Sequence, residues 1–180
     1  EILEIWQLHA GAAHAKVPQR GGPTPVPLQF LSKGECSMEK LNYEVLKKSG
    51  YQGYILENAP EKILQFGEGN FLRAFVDYWF DMSNEKVGFN GKAVLVQPIA
   101  PGLAKQINEQ QGLYTLYLRG RENGEKVDRK RVISSVSRCL NPYEKADYDA
   151  MMEVAVSDDL EYIVSNTTEA GIQFHSQDSF

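Results

Sequence analysis

The sequence predicts an α/β fold built on a parallel sheet, and three observations carry that expectation. Short apolar runs at residues 63–66, 92–97 and 161–165 have the length and composition of buried strands. The first of them passes through Gly67-Glu68-Gly69 straight into a segment with helical periodicity. That helix is followed by the second run, the order of parts in a βαβ unit.

Taken in order, residues 1–37 hold four of the eight prolines together with Gly21-Gly22, and read as an irregular, disordered arm. Met38 opens the segment MEKLNYEVLKKSGY, which has helical spacing and a stop signal at Gly50, so Met38 is the expected natural start. The strand at Ile63, Leu64 and Phe66 comes next, then a helix on which Phe71, Phe75, Tyr78 and Met82 form the apolar stripe expected to pack beneath the sheet. Arg73, Asp77 and Asp81 fall on the opposite, polar face, where Arg73 can pair with Asp77 or reach a phosphate.

Asn90-Gly91 supplies a turn, and KAVLVQ at residues 92–97 is the second strand, ended by Pro98 and Pro101-Gly102. Residues 103–111 suit a short helix. Residues 113–119 and 127–138 are strand-like around the turn Glu122-Asn123-Gly124-Glu125, which predicts an antiparallel hairpin inserted after the second parallel strand. A helix over residues 143–156 follows, with Tyr148, Met151, Met152 and Ala155 on one side. The last strand delivers Asn166, Thr167, Thr168 and Glu169 to its carboxyl end, where open α/β sheets bind ligands; the same residues can also cap a following helix.

The turn at Gly67 has the chemistry of a dinucleotide site. A tight turn favours glycine at Gly67, Gly69 lets the backbone approach a pyrophosphate, and the helix beyond aims its free N–H groups at the anion. The usual third glycine is replaced by Leu72. At the end of the second strand, where an acidic residue commonly meets the adenosine ribose, stands Gln97, an amide that can bond hydroxyls without repelling a 2′-phosphate.

Composition sets bounds on function. The 180 residues suit one domain or part of one, and a net charge of −5 argues against a basic nucleic-acid surface; the cluster Arg129-Lys130-Arg131 reads as a solvated strand end. There is no long apolar run and no basic segment leading into an apolar one, which gives a soluble, cytoplasmic expectation with no membrane partner. Cys36 and Cys139 are too few for a disulfide framework and read as reduced thiols. His9, His14 and His175 lie in the least regular parts of the chain, so no metal site is expected.

Three separated segments, GEGNFLRAF at residues 67–75, QGLYTLYLRG at 111–120 and SNTTEAGI at 165–172, resemble the mannitol dehydrogenase family of long-chain polyol dehydrogenases over residues 56–172. Within it, the likeness is to members that interconvert D-tagaturonate and D-altronate in hexuronate breakdown. The resemblance implies a partial Rossmann-like NAD-binding domain at residues 38–180, with an inserted antiparallel β-hairpin, NAD as cofactor and a small sugar acid as substrate. It assigns Gly67, Gly69, Asn70, Phe71 and Arg73 to the pyrophosphate turn, Gln97 to the ribose side and Asn166, Thr167, Thr168 and Glu169 to the nicotinamide end. The family's variant turn has no third glycine. Its catalytic lysine, asparagine and histidine belong to a helical second domain beyond this chain, so no catalytic residue is assigned here. A related fructuronate or mannitol reductase, and a non-catalytic nucleotide-binding module, are the alternatives.

Overall fold

A computed structural model of the chain describes residues 39–167. The expectations for residues 1–37, Met38, Cys36, the three histidines, Thr168 and Glu169 fall outside the described residues. The elements are α1 (Tyr43–Lys48), β1 (Glu61–Phe66), α2 (Asn70–Val87), β2 (Lys92–Val96), α3 (Ala104–Glu109), β3 (Tyr114–Glu122), β4 (Glu125–Ile133), β5 (Val136–Leu140), α4 (Lys145–Ala155) and β6 (Tyr162–Ser165). Four strands form one parallel sheet in the order β5-β2-β1-β6, and β3 and β4 pair as a separate antiparallel hairpin. This is the α/β architecture expected, with its inserted hairpin.

The sheet has two covered faces because alternate residues of a strand point to opposite sides. Ile63, Ala93 and Leu95 meet α3 and the base of the hairpin, with Ala74 and Tyr78 of α2 against them. Leu64, Val94 and Val96 point the other way and pack with Leu140 and with Val154 of α4. On α4 it is Val154, with Ala150 and Met151, that makes this contact; Tyr148 and Met152 are exposed.

Two expectations need correction. Residues 127–138 are not one hairpin strand. They divide at Ser134-Ser135 into β4, antiparallel to β3, and β5, parallel to β2. The break is anchored: Ser134 donates its N–H and hydroxyl to Asp81 Oδ1 (2.9 and 3.1 Å), and the Ser135 hydroxyl donates to the Asp77 carbonyl oxygen (2.7 Å). The chain therefore turns from hairpin to sheet at the point where α2 supplies acceptors for it.

The second correction concerns α2, which lies with the opposite face inward. Arg73, Asp77, Asp81 and Asn84 are buried, whereas Phe71 is 61 % exposed, Trp79 56 % and Phe75 nearly as open. Of the expected apolar stripe, Tyr78 alone packs against the core, with Met82 half-buried. The polar face can be internal because it finds partners there. Arg131 of β4 donates to Asp81 Oδ2 through Nε (2.8 Å) and Nη2 (2.5 Å), and to Glu85 through Nη1 (2.8 Å). Asn84 exchanges two hydrogen bonds with the backbone of Gly91 (2.9 and 3.0 Å), fixing the turn between α2 and β2. Arg131 thus leaves the expected solvated cluster, while Arg129 pairs with Glu122 at the exposed hairpin surface.

The outer edge of β5 is closed by Asn108 of α3, whose amide exchanges bonds of 2.8 Å each with the backbone of Cys139. At the other edge β6 is largely exposed, contrary to the buried strand expected, with Tyr162 held against Phe80 and Phe89. At the amino end of the sheet, buried Lys92 donates to Tyr43 Oη (2.9 Å) and to the carbonyl oxygens of Leu56 and Glu57 (3.2 Å each). These bonds fasten the segment around α1 to the sheet. Among the described residues no helix is long and apolar enough to cross a membrane.

Candidate functional site

Parallel register brings the sequence-predicted residues to one end of the sheet. Phe66 stands beside Val96 of β2 and Ser165 of β6, so Gly67, Gln97 and Asn166 leave the sheet side by side. The Gly67 N–H still bonds the Val96 carbonyl oxygen at 2.9 Å, and the chain turns away only after it. Gly67 has a φ of +116°, and a Cβ there would come within 3.0 Å of Leu72 Cδ1. Leu72 is therefore the residue that closes against the turn, and glycine is required opposite it.

Gly69 is the N-cap residue of α2 and has no side chain to cap it; the first turn of the helix carries no acidic residue. A Cβ at Gly69 would meet nothing within 4 Å, so the approach to the helix end is open. An 18-residue helix thus begins with free backbone N–H groups at the carboxyl end of a parallel sheet. This arrangement fits a phosphate group, which needs donors, a positive dipole end and room for close approach.

Arg73 braces the turn from within. Its Nε donates to the Glu68 carbonyl oxygen (2.8 Å) and its Nη2 to Asn70 Oδ1 (2.9 Å), while the guanidinium lies over the Tyr114 ring (5.4 Å). It makes no ion pair with Asp77 among the described residues. Glu68, mostly buried, accepts a 3.4 Å bond from the Leu103 N–H and so links the turn to the loop after β2. Phe71 lies exposed beside the turn and stacks on Phe75 with ring centroids 5.7 Å apart.

Gln97 is buried and its amide is engaged by its own loop. Nε2 donates to the carbonyl oxygens of Ile99 (2.7 Å) and Ala100 (2.8 Å), and Oε1 accepts from the Ala104 N–H (3.0 Å). It shapes the loop that borders the site and starts α3. Asn166 and Thr167 are exposed beyond β6. Sequence reasoning missed Glu68, Gln65 and Tyr114; a glutamine inside an otherwise apolar strand was the available signal for Gln65.

Electrostatics in this region are dominated by burial. The Asp77 carboxyl is pushed up to about 7 by desolvation, against the opposing pull of Gln65, Arg73 and Tyr114. Burial also raises the Tyr114 hydroxyl well above its ordinary value and the Cys139 thiol to about 12, so Cys139 is an inert packed thiol. Among the described residues no group of three or more His, Cys, Asp or Glu could hold a metal ion.

Comparison with known proteins agrees with this fold. The family described as the Mannitol dehydrogenase Rossmann domain matches residues 61–177. An altronate oxidoreductase of Bacillus subtilis is 47 % identical over 141 residues, covering 78 % of this chain and 28 % of the relative. One of Klebsiella pneumoniae is 48 % identical over 122 residues, covering 67 % and 25 %. Two solved structures share the fold: mannitol 2-dehydrogenase of Pseudomonas fluorescens, a ternary complex with NAD and D-mannitol, and a D-sorbitol dehydrogenase in substrate-free form. The first has a TM-score of 0.57 at 22 % identity, over 71 % of this chain and 26 % of that one. The second has a TM-score of 0.59 at 19 % identity, over 77 % and 29 %. The chain spans roughly a quarter of the length of these relatives. It belongs to the mannitol dehydrogenase family, whose Rossmann domain it carries.

Proposed function

We propose that this chain holds the nicotinamide dinucleotide, as NAD, of an oxidoreductase that interconverts D-tagaturonate and D-altronate. The observation that carries the reading is the uncapped amino end of α2, behind a glycine turn at the carboxyl end of a parallel sheet. The similarity to altronate oxidoreductases supports the substrate class. When bound, the nicotinamide supplies or accepts the hydride. The first-turn N–H groups of α2 bind the pyrophosphate, Gly69 admits it, and Arg73 keeps Glu68 and Asn70 in place around it. Glu68 and Gln97 hold the loop of residues 98–103 beside it, and the choice of NAD is supported by the family resemblance and by the NAD bound in the related mannitol 2-dehydrogenase. Asn166, Thr167, Thr168 and Glu169 stand for the nicotinamide end.

Gly69→Asp tests the cofactor site without undermining the fold. Aspartate is a good N-cap and suits the φ of −66° and ψ of 164° at this position, so stability stays the same or rises by about 0.5 kcal/mol. Its carboxylate occupies the anion position, so NADH affinity in a fluorescence titration falls at least about tenfold. Undiminished NADH binding by a folded Gly69→Asp protein would refute the site. Turnover of tagaturonate, fructuronate and fructose by a longer protein containing this segment separates the substrate alternatives, and NADH binding with no turnover would identify a non-catalytic module.

A further inference from the structure

Beneath the glycine turn lies a buried polar pair to which cofactor binding gives no task. Gln65 of β1 and Asp77 of α2 are both 0 % exposed. Gln65 Nε2 donates to the Gly67 carbonyl oxygen at 3.1 Å and stands 3.5 Å from Asp77 Oδ2. Among the described residues, Gln65 Oε1 and Asp77 Oδ1 have no hydrogen-bond partner. Tyr114 Oη is 3.4 Å from Asp77 Oδ2, but its single proton makes a short 2.6 Å bond to the Arg73 carbonyl oxygen. Toward Asp77 the hydroxyl therefore has a lone pair to offer.

These contacts describe a carboxylic acid. Charge-assisted bonds to a carboxylate run at about 2.7–2.9 Å, well inside the separations found here. The nearest cation, Arg73, uses Nε and Nη2 on Glu68 and Asn70. The charged and titratable groups around Asp77 are Arg73 and Asp81 from α2, Tyr114 from β3 and Cys139 from β5, and the pull of Arg73 toward a carboxylate falls short of the cost of burying one. A proton on Asp77, by contrast, gives the lone pair of Tyr114 a donor. Its carboxyl, pushed up to about 7 by burial, agrees with this geometry.

We propose that Asp77 is a positioning residue for the glycine turn: as a neutral acid it leaves the Gln65 amide on the Gly67 carbonyl, and losing its proton loosens the turn that receives the pyrophosphate. The inference rests on the dinucleotide reading of that turn. Ionised Asp77 draws Gln65 Nε2 toward Oδ2 and away from Gly67, and it sets a negative charge below an anion site; both effects weaken binding.

The test follows the Asp77 carboxyl carbon and the Gly67 amide of the 180-residue chain by NMR between about pH 5.5 and 8.5, with NADH affinity measured alongside. Both signals are expected to share one midpoint, and NADH to bind about fivefold more weakly at the upper end. Asp77→Asn, close in shape to the neutral acid, should abolish the Gly67 titration and hold affinity at its low-pH level. Gln65→Met should leave Asp77 titrating while Gly67 no longer follows. A Gly67 amide indifferent to the Asp77 midpoint, or one that still titrates in Asp77→Asn, overturns the proposal. If Gly67 follows Asp77 yet NADH binds at no pH, the cofactor reading falls and the link between Asp77 and the turn stands.

Discussion

Asp77 and Asp81 sit one helical turn apart on α2, and both are entirely buried, yet their surroundings differ in kind. Asp81 receives two bonds from the Arg131 guanidinium and two from Ser134. Among the described residues, the Asp77 carboxyl has only the two long contacts to Gln65 and Tyr114, and one oxygen with no partner. Burial alone therefore does not decide what a carboxyl does. The donors decide, and they come from different elements: the end of β4 serves Asp81, whereas β1 and β3 leave Asp77 short of them.

The contrast breaks most sharply at Arg131. Arg131→Met removes the countercharge of Asp81 and leaves a buried carboxylate with the Ser134 donors alone, which should cost about 3–5 kcal/mol in denaturant unfolding at neutral pH. A loss below about 1 kcal/mol would mean that the pair contributes little to the attachment of the hairpin. Asp77→Asn should act in the opposite direction, stabilising the protein at about pH 8 by roughly 1–3 kcal/mol. The Asp77 carboxyl is raised from 3.8 to about 7 on folding, so between these values the folded chain holds a proton that the unfolded chain has released. Its stability contribution is complete below the unfolded value and disappears as pH rises through the folded one. Denaturation curves of the asparagine variant should lack that decline, and an identical decline would assign it to another group. The smallest effect belongs to the outward face: Phe75→Gln should change stability by no more than about 0.5 kcal/mol, since the residue lies on the solvent side of α2 at 45 % exposure.

What was legible in the sequence was mostly local. The glycine turn, the β1 and β2 segments and the hairpin turn are each encoded within a few residues, through alternation, left-handed positions and apolar runs. The orientation of α2 was not. Phe71, Phe75, Tyr78 and Met82 recur at helical spacing, but so do Arg73, Asp77 and Asp81, and choosing the apolar stripe assumes that a core is apolar. The partners that make the polar stripe internal, Arg131, Ser134 and Ser135, lie about fifty residues away. The same holds for the split at Ser134-Ser135, which depends on acceptors supplied by α2. Gln97 was placed at the correct end of its strand, but the loop engaging its amide closes only in three dimensions.

The register of β1 between β2 and β6 has one more consequence. Gly67 and Asn166 share one end of the sheet although about a hundred residues separate them, so their juxtaposition has no counterpart in an unfolded chain. A molecule seated across both strands binds the folded form alone. Its concentration then becomes part of the folding equilibrium: a hundredfold excess over its dissociation constant adds about 2.7 kcal/mol, comparable to a good buried ion pair. On the proposed function, the persistence of the folded domain is thereby tied to the supply of the dinucleotide.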